Sequence, residues 1–274
     1  MHPHAGRSII NFEDGSSTTI YVEDEVRIGT NVAMDPEIQI GMPDKPLKRL
    51  VIGDHARLFA GQIAPRSFVC GDYVTIHEGV WCYGRSDVII GHNAWFGMRC
   101  TLDAEGGFAV GNGFGAGQDT HLWSHIRHGD VVQGSRFLSF EPFTAEDDVW
   151  FVGRCTSSPA HHERFSVALT ESNILRGMSE NHVYGGNPAA DLTEKIGAPY
   201  EDIPLAERAA RFQARVDYFR KLWQPAPAFD DVVSTFNVSD RTYRKTNAAI
   251  EVQFMRFLLP EAKFIPEDHQ RVVD

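Results

Sequence analysis

The sequence predicts an all-β fold in which the chain winds as a parallel β-helix of hexapeptide repeats. Between residues 52 and 127 an aliphatic or small residue recurs every six positions, glycine often follows it, and the fifth position is usually small or β-branched. The first positions are Ile52, Leu58, Ala64, Cys70, Ile76, Cys82, Ile90, Phe96, Leu102, Val110, Ala116 and Leu122. A six-residue period fits neither a helix nor simple strand alternation, so it indicates a repeat architecture.

Each hexad is expected to form one short strand and one corner. Three hexads then make a triangular coil, and coils stack about 4.8 Å apart through parallel strand pairing. First and fifth positions point into a thin core, while glycines such as Gly71 and Gly91 supply the backbone conformations that corners need. Two-residue surpluses near residues 86–89 and 106–109 predict bulges at corners.

Residues 1–21 predict a hairpin that caps the first coil. Two β-rich runs, residues 8–12 and 18–22, flank Asp14-Gly15, which is a turn signal. A cap is expected here because the first coil would otherwise expose its core and its strand edges. The β-helix domain is predicted to span residues 22–192.

A projecting loop is predicted inside the β-helix domain. The hexad period fails after Arg127 and resumes at Ala145, so residues 128–144 are too numerous for a corner. Long loops on repeat scaffolds often carry functional residues. This loop is therefore the first place to look for a site.

Residues 193–274 predict a helix followed by a small α+β extension. Apolar residues recur at spacings of three and four over residues 202–223, and Gln224-Pro225-Ala226-Pro227 ends that helix. A strand is predicted over residues 232–238 and a second helix over residues 247–259.

Composition excludes several functional classes. The net charge of -11 and the pI near 5.5 argue against a nucleic-acid or anionic-membrane surface. No apolar window is long enough to span a membrane and the N-terminus has no apolar signal region, so a cytoplasmic protein is expected. All four cysteines fall at inward hexad positions, which predicts buried, reduced thiols and no metal site of the knuckle type.

Three motifs give the sequence a family resemblance. They are EDDVWFVG at residues 146–153, VYGGNPAA at residues 183–190, and QDTHLWSHIRHG at residues 118–129, where the predicted loop begins. Together they resemble the hexapeptide-repeat acyltransferases, in particular the sugar, galactoside and xenobiotic O-acetyltransferases. The resemblance implies a left-handed β-helix, acetyl-CoA as acyl donor, and a sugar or related small acceptor. It also implies a homotrimer with the active site in the cleft between neighbouring subunits.

The resemblance places a catalytic histidine at the start of the loop. Acetyl transfer to a hydroxyl needs a general base, and a histidine can then return the proton to the departing CoA thiolate. His125 is the first candidate, because it lies outside the two inward hexad positions and just before the loop. His128 is the second candidate, and His121 could instead support or orient the base.

The resemblance also assigns residues to the two substrates. Residues at motif positions that line the pantetheine channel, or in coils where the family binds CoA, are Trp150, Gly153, Arg154, Gly185, Asn187 and Pro188. Trp123 could stack on a sugar ring, or pack in the core or at the contact between subunits of a trimer. Glu141 is expected in the acceptor site, where it or Asp119 could orient the imidazole.

Two other functions use the same scaffold. A γ-class carbonic anhydrase would hold zinc with three histidines across a subunit boundary, for which His121, His125 and His92 are the candidates. The ligand spacing of that class is not reproduced, and the Gly-Asn-Pro-Ala closure favours a transferase. A non-catalytic assembly module is the remaining alternative.

Overall fold

The structure is a computed structural model that describes residues 6–11, 17–246 and 248–268. The chain divides into two compact units, Met1–Tyr200 and Glu201–Asp274. The first unit contains the repeats and the second contains most of the helices. The predicted domain boundaries at residues 21 and 192 stay predictions.

The first unit begins with an antiparallel pair, β1 (Arg7–Asn11) and β2 (Ser17–Ile28). The two runs predicted to form a hairpin therefore pair, and the turn at Asp14-Gly15 lies outside the described residues. Strand β2 then pairs in parallel with two later strands, so it also begins the stack of coils.

The coils follow as short strands. The first coils contain β3 (Ala33–Met34), β4 (Gln39–Ile40), β5 (Leu47–Ile52), β6 (Arg57–Leu58), β7 (Gln62–Ala64), β8 (Ser67–Cys70) and β9 (Thr75–Ile76). The next contain β10 (Trp81–Tyr83), β11 (Asp87–Ile90), β12 (Trp95–Phe96), β13 (Thr101–Asp103), β14 (Phe108–Val110), β15 (Gly115–Ala116) and β16 (His121–Leu122). Two loop strands, β17 (Ile126–Arg127) and β18 (Leu138–Ser139), interrupt the series.

The stack resumes and closes with the remaining strands of the unit. They are β19 (Phe143–Ala145), β20 (Trp150–Phe151), β21 (Thr156–Ser157), β22 (His161–His162), β23 (Val167–Ala168), β24 (Asn173–Ile174), β25 (Val183–Gly186) and β26 (Ala189–Asp191), followed by the short helix α1 (Thr193–Ile196). Strand β26 pairs antiparallel with β25.

The strands form three parallel sheets, which we call faces A, B and C. Face A contains β4, β7, β10, β13, β16, β21 and β24; face B contains β5, β8, β11, β14, β19 and β22; face C contains β3, β6, β9, β12, β15, β20, β23 and β25. Each turn of the chain visits A, B and C in that order. The predicted fold class, a left-handed parallel β-helix of hexapeptide repeats with a projecting loop, is confirmed.

The inward hexad positions form the core, with two differences from the predicted pattern. Strand pairing aligns Cys82 with Ile63, so Ile63 and not Ala64 takes the first position in its coil. The surplus residues also lengthen face B, where Phe68, Phe108 and Phe143 are buried in register. The core is therefore wider and more aromatic than the hexad pattern predicts.

The two predicted corner surpluses lie slightly earlier than expected. Residues 84–86 and 104–107 form the A/B corner, with a positive φ at Gly84 and Gly107, while Ile89 and Ala109 are already in strands. The loop also begins earlier than predicted, because Ile126 is exposed and pairs with Ser139. The coil resumes at Phe143, where β19 pairs with β14.

A ladder of side chains caps the B/C corner from coil to coil. The backbone N–H of Asp54 donates to Asp72, that of Asp72 to Nδ1 of His92, and that of His92 to Asn112. Each distance is 2.9 Å. We call this series the corner ladder, and it ends where Asn112 N–H donates to Asp147.

The second unit contains α2 (Leu205–Trp223), α3 (Phe229–Val233), β27 (Phe236–Asn237), β28 (Thr242–Tyr243), α4 (Ala249–Leu258) and β29 (Ile265–Pro266). Its buried residues are largely aromatic and include Phe219, Phe229, Tyr243 and Phe254. The predicted strand over residues 232–238 is wrong, because its first part is the end of α3 and only Phe236–Asn237 is extended. Across residues 6–11, 17–246 and 248–268, no helix combines the length and apolar character needed to cross a membrane.

Candidate active site

A cavity lies at the A/B corner where the projecting loop leaves the β-helix. Its volume is about 300 Å³, and its lining residues are Tyr83, Arg85, Glu105, His125, Arg127 and Phe140. That volume is at the lower end of the range for small-molecule sites. Three successive coils and the returning strand of the loop supply the lining, so the fold fixes its shape.

His125 and Asp103 form the central contact of this cavity. The Nδ1 atom of His125 lies 2.5 Å from Oδ2 of Asp103, whose side chain is fully buried. The carboxylate also accepts the backbone N–H groups of Ser124 and Glu105, at 3.0 Å each. These three contacts hold the carboxylate in place. A carboxylate oxygen that accepts from Nδ1 selects the tautomer with hydrogen on that atom, which leaves Nε2 available to a ligand.

Asp103 is the functional residue that sequence reasoning missed. Glu141 and Asp119 were expected to orient the imidazole, but the structure places Asp103 there. Asp119 instead binds Arg99, with contacts of 2.7 and 2.8 Å, and this hydrogen bond lowers the pKa of Asp119. The length of a coil could have identified Asp103 from the sequence. Because β13 pairs with β16, Asp103 lies one coil before His125 and is its neighbour in space.

The other walls of the cavity combine aromatic and hydroxyl groups. The Phe140 ring stacks on His125, with centroids 6.0 Å apart and planes 13° apart. Burial, reinforced by Asp103 and Glu105, raises the pKa of Tyr83 to about 12. Tyr83 therefore keeps its proton at neutral pH and can donate a hydrogen bond to a ligand oxygen.

The other two predicted catalytic histidines lie outside the cavity lining. Nδ1 of His121 is 2.9 Å from the Thr101 hydroxyl, on face A. His128 is exposed beyond the base of the loop, where its backbone N–H donates to Phe137. Trp123 lies between His121 and His125, with its ring centroid 6.3 Å from each. Glu141 is exposed, next to Phe140. The predicted roles of these residues remain predictions.

The predicted acyl-donor residues lie at a different corner. Gly153 and Arg154 follow β20 and precede β21, at the C/A corner. Arg154 forms an ion pair of 2.9 Å with Glu171, and both side chains are exposed. Trp150 stacks on Trp95, with ring planes 6° apart and centroids 6.0 Å apart. The stack crosses Gly115, where a Cβ would lie 1.9 Å from the Trp150 ring.

The second group of residues predicted to bind the acyl donor lies at the end of face C. Gly185 is in β25, and Asn187 and Pro188 form the turn between β25 and β26. The Asn187 side-chain oxygen accepts from Asn173 on face A at 3.1 Å. Strand pairing runs from β20 through β23 to β25, so this group lies two strands beyond Trp150, about 10 Å away.

The histidines considered for zinc are not gathered in one chain. His92 is at the B/C corner, where its Nδ1 accepts a backbone hydrogen bond, whereas His125 is at the A/B corner. Among the described residues no group of three His, Cys, Asp or Glu side chains is placed to hold a metal ion. The four cysteines are buried and unpaired, and burial raises the pKa of Cys70 to about 12 and of Cys100 to about 11. Such thiols are poor nucleophiles at neutral pH.

No model of a known protein family matches the sequence, and no curated protein matches it. Among solved structures, a variant of AntD, an N-acyltransferase from Bacillus cereus, in complex with dTDP and coenzyme A is 13% identical. The match covers 70% of this chain and 92% of that one, with a TM-score of 0.45. The maltose O-acetyltransferase from Clostridium difficile 630 is 14% identical over 65% of this chain and 71% of that one, with a TM-score of 0.35.

The polySia-specific acetyltransferase NeuO is also similar. It is 15% identical, and the match covers 72% of this chain and 98% of that one, with a TM-score of 0.33. At these identities and TM-scores the likeness assigns neither a substrate nor a mechanism to this chain.

Proposed function

We propose that the protein is an acetyl-CoA-dependent acetyltransferase that acetylates a hydroxyl or amine of a sugar or related small acceptor. The observation that carries the proposal is the contact between His125 and the buried Asp103 at the cavity beneath the loop. A buried carboxylate that orients a histidine fixes its tautomer and stabilises the imidazolium, which suits the histidine to general-base catalysis. The loop position agrees with the family resemblance.

The reaction is a direct transfer. As the acceptor oxygen or nitrogen attacks the thioester carbonyl, Nε2 of His125 takes its proton. The tetrahedral intermediate then collapses, the C–S bond breaks, and the protonated imidazole returns the proton to the CoA sulfur. Asp103 stabilises the imidazolium that forms between these steps. A positioned general base of this kind contributes about 10²- to 10⁴-fold to the rate.

No cysteine is needed as an acyl carrier. Burial keeps the thiols of Cys70 and Cys100 protonated at neutral pH. A single displacement therefore fits these residues better than a covalent acyl-enzyme. Free thiols also suit a reducing compartment, so a cytoplasmic location is part of the proposal.

The active site is proposed to form between subunits of a homotrimer. In one chain, His125 at the A/B corner and Arg154 at the C/A corner are separated by the width of face A, about 20 Å of extended chain. A neighbouring β-helix that places its C/A corner against this cavity would bring donor and acceptor together. The loop supports such a contact, because Val132 and Phe137 are 87% and 61% exposed.

The test is a pair of measurements on the purified protein. Calorimetric titration with coenzyme A should show one site per chain, and sedimentation should show a trimer. Acetyl-CoA with a panel of amino- and deoxy-sugars should then release free CoA thiol. Absence of coenzyme A binding would reject the proposal and favour a scaffold role, whereas stoichiometric zinc would favour the anhydrase.

A further inference from the structure

We propose that the acceptor is anionic, and that Arg127 binds its carboxylate or phosphate group. This inference rests on the proposed function, which it deepens by naming the chemical class of the acceptor. It depends on how the charged groups of the cavity are paired with one another.

Both acidic groups at the cavity are already engaged. Asp103 is held by His125 and by two backbone N–H groups. Glu105 accepts from Nε of Arg85 at 2.6 Å. The guanidinium of Arg85 balances Glu105, and the fully buried Asp103 is not part of the cavity lining, so neither carboxylate faces a bound anion as an unpaired charge.

Arg127 is the cation of the cavity without such a match. The ion pairs at this cavity join Arg85 to Glu105 and His125 to Asp103, and no ion pair among the described residues includes Arg127. An unpaired surface arginine alone would signify little. Arg127 differs because it lines the same cavity as His125, in a protein whose net charge is -11.

The backbone holds Arg127 in that position. Arg127 lies in β17, where it pairs with Leu138. The backbone N–H of His128, the following residue, donates to the carbonyl oxygen of Phe137 at 2.8 Å. This pairing fixes the base of the loop even though the tip is exposed. Arginine in a fixed position can bind a carboxylate or phosphate through two parallel hydrogen bonds.

Arg85 is the second arginine that can contact the anionic group of the acceptor. Its contact with Glu105 uses Nε, and its guanidinium lies over the Phe140 ring, 5.6 Å from the centroid. Its terminal nitrogens can therefore approach the same anion. A neutral sugar offers these guanidinium groups only single hydrogen bonds to hydroxyl oxygens, which are weaker than the charge-assisted pairs that an oxyanion forms.

Two classes of acceptor carry such an anionic group: an acidic sugar, and a phosphorylated or nucleotide-linked sugar. Both present an oxyanion beside hydroxyl groups that His125 could deprotonate. Binding can be measured without an acyl donor, so the result is independent of whether transfer occurs. Glucuronate, glucose 1-phosphate and glucose serve as the probes.

The experiment is ligand-observed NMR on the full chain with each probe. Arg127→Gln is compared with Arg136→Gln, which removes the same charge from the same loop at a residue outside the cavity lining. We expect at least one anionic probe to bind about tenfold more tightly than glucose. Arg127→Gln should remove this preference, and Arg136→Gln should keep it within about twofold.

The outcomes separate the alternatives. Preference for glucuronate would identify a carboxylate, and preference for glucose 1-phosphate a phosphate. Equal binding of all three probes, no binding of either anion, or equal losses in the two variants would overturn the inference. If coenzyme A binds and neutral sugars are acetylated unchanged by Arg127→Gln, the inference fails while the proposed function stands. Anion binding that Arg127→Gln removes, without any coenzyme A binding, would support the anion site and reject the proposed function.

Discussion

The carboxylate of Asp103 lies 2.5 Å from the imidazole of His125, although 22 residues separate them in the chain. One turn of the β-helix produces this proximity, since β13 pairs with β16 directly above it. The rigid coils, and not the loop, therefore orient the proposed base. Such support on regular elements gives a site geometric precision.

His125→Gln is expected to abolish acetyl transfer and leave coenzyme A affinity nearly unchanged. Glutamine keeps much of the side-chain volume but cannot take the acceptor proton. Thiol release should fall by about 10²- to 10⁴-fold. His128→Gln is the matched control, because it removes an exposed histidine near the same loop. The reverse pattern would transfer the base role to His128.

Asp103→Asn should lower kcat by about 10²-fold or more with little change in the KM for acetyl-CoA. The amide no longer fixes the tautomer or stabilises the imidazolium. Steady-state kinetics separate the two parameters. The control is Asp87→Asn, which breaks an exposed ion pair with Arg66 on the neighbouring face. A similar loss of kcat in both variants would argue against a specific role for Asp103.

Coenzyme A binding should respond in opposite directions to the two partners of one ion pair. Arg154→Gln removes a cation at the C/A corner and should weaken coenzyme A binding several-fold. Glu171→Gln releases Arg154 from its 2.9 Å contact and should strengthen binding. Calorimetry at two salt concentrations measures both. If both variants weakened coenzyme A binding, Arg154 would not be the group that binds the coenzyme A phosphates.

His162 should make the fold lose stability in acid. Burial, and to a lesser extent His161, lowers the pKa of His162 to about 3, whereas the unfolded chain has a value near 6.5. The unfolded state therefore binds the proton first, and the stabilising contribution of the neutral imidazole is complete above about pH 6.5 and is lost as the pH falls toward 3. At about pH 4.5 the loss is about 2–3 kcal/mol.

Replacing this histidine tests that effect. Only Nε2 of His162 has a partner, the Ser157 hydroxyl at 3.1 Å, while Nδ1 is buried without one among the described residues. His162→Leu should raise stability at about pH 4.5 relative to wild type, measured by urea unfolding at several pH values. His161→Leu, at the exposed neighbour, should keep the wild-type slope. If the free energy of unfolding changed equally with pH in all three proteins, the proposed effect of His162 on acid stability would be contradicted.

The free energy of unfolding should depend on whether residue 92 of the corner ladder offers a hydrogen-bond acceptor. His92→Ala leaves the Asp72 N–H without its 2.9 Å acceptor and should cost about 1–3 kcal/mol. His92→Asn restores an acceptor of the kind that Asn112 provides one coil later. Urea unfolding at about pH 7 should place the Asn variant within about 0.5 kcal/mol of wild type. Equal destabilisation by both would show that His92 acts through packing.

The sequence alone could predict the coils, because a buried position every six residues is a local pattern. Cys82, Phe96 and Leu102 are buried as that pattern requires. It could not predict the strand alignment of Ile63 or the burial of Phe143, because both depend on residues inserted at corners. Hexad counting assumes a constant period, and only the pairing of neighbouring strands reveals where the period slips.

The candidate site divides in the same way. His125 could be named as a candidate because the family resemblance places a histidine here and because it is a polar residue just before the break in the period. Asp103 and Arg127 were not, because their importance comes from proximity across coils and across the base of the loop. In a repeat protein the relevant neighbours are one coil away, so the coil length must be known before a partner can be named.

Strand direction at the ends of the stack limits its growth. The middle coils pair with a neighbouring coil on both sides, so only the end coils of the stack could accept another coil. At one end β1 runs antiparallel to β2, and at the other β26 turns back on β25. A reversed strand does not offer the parallel pattern that a further coil would need, so β1 and β26 disfavour the addition of another chain at the two strands that they cover. Deleting residues 187–191, which form the turn and β26, would remove one of these strands and expose the edge of β25 to another chain.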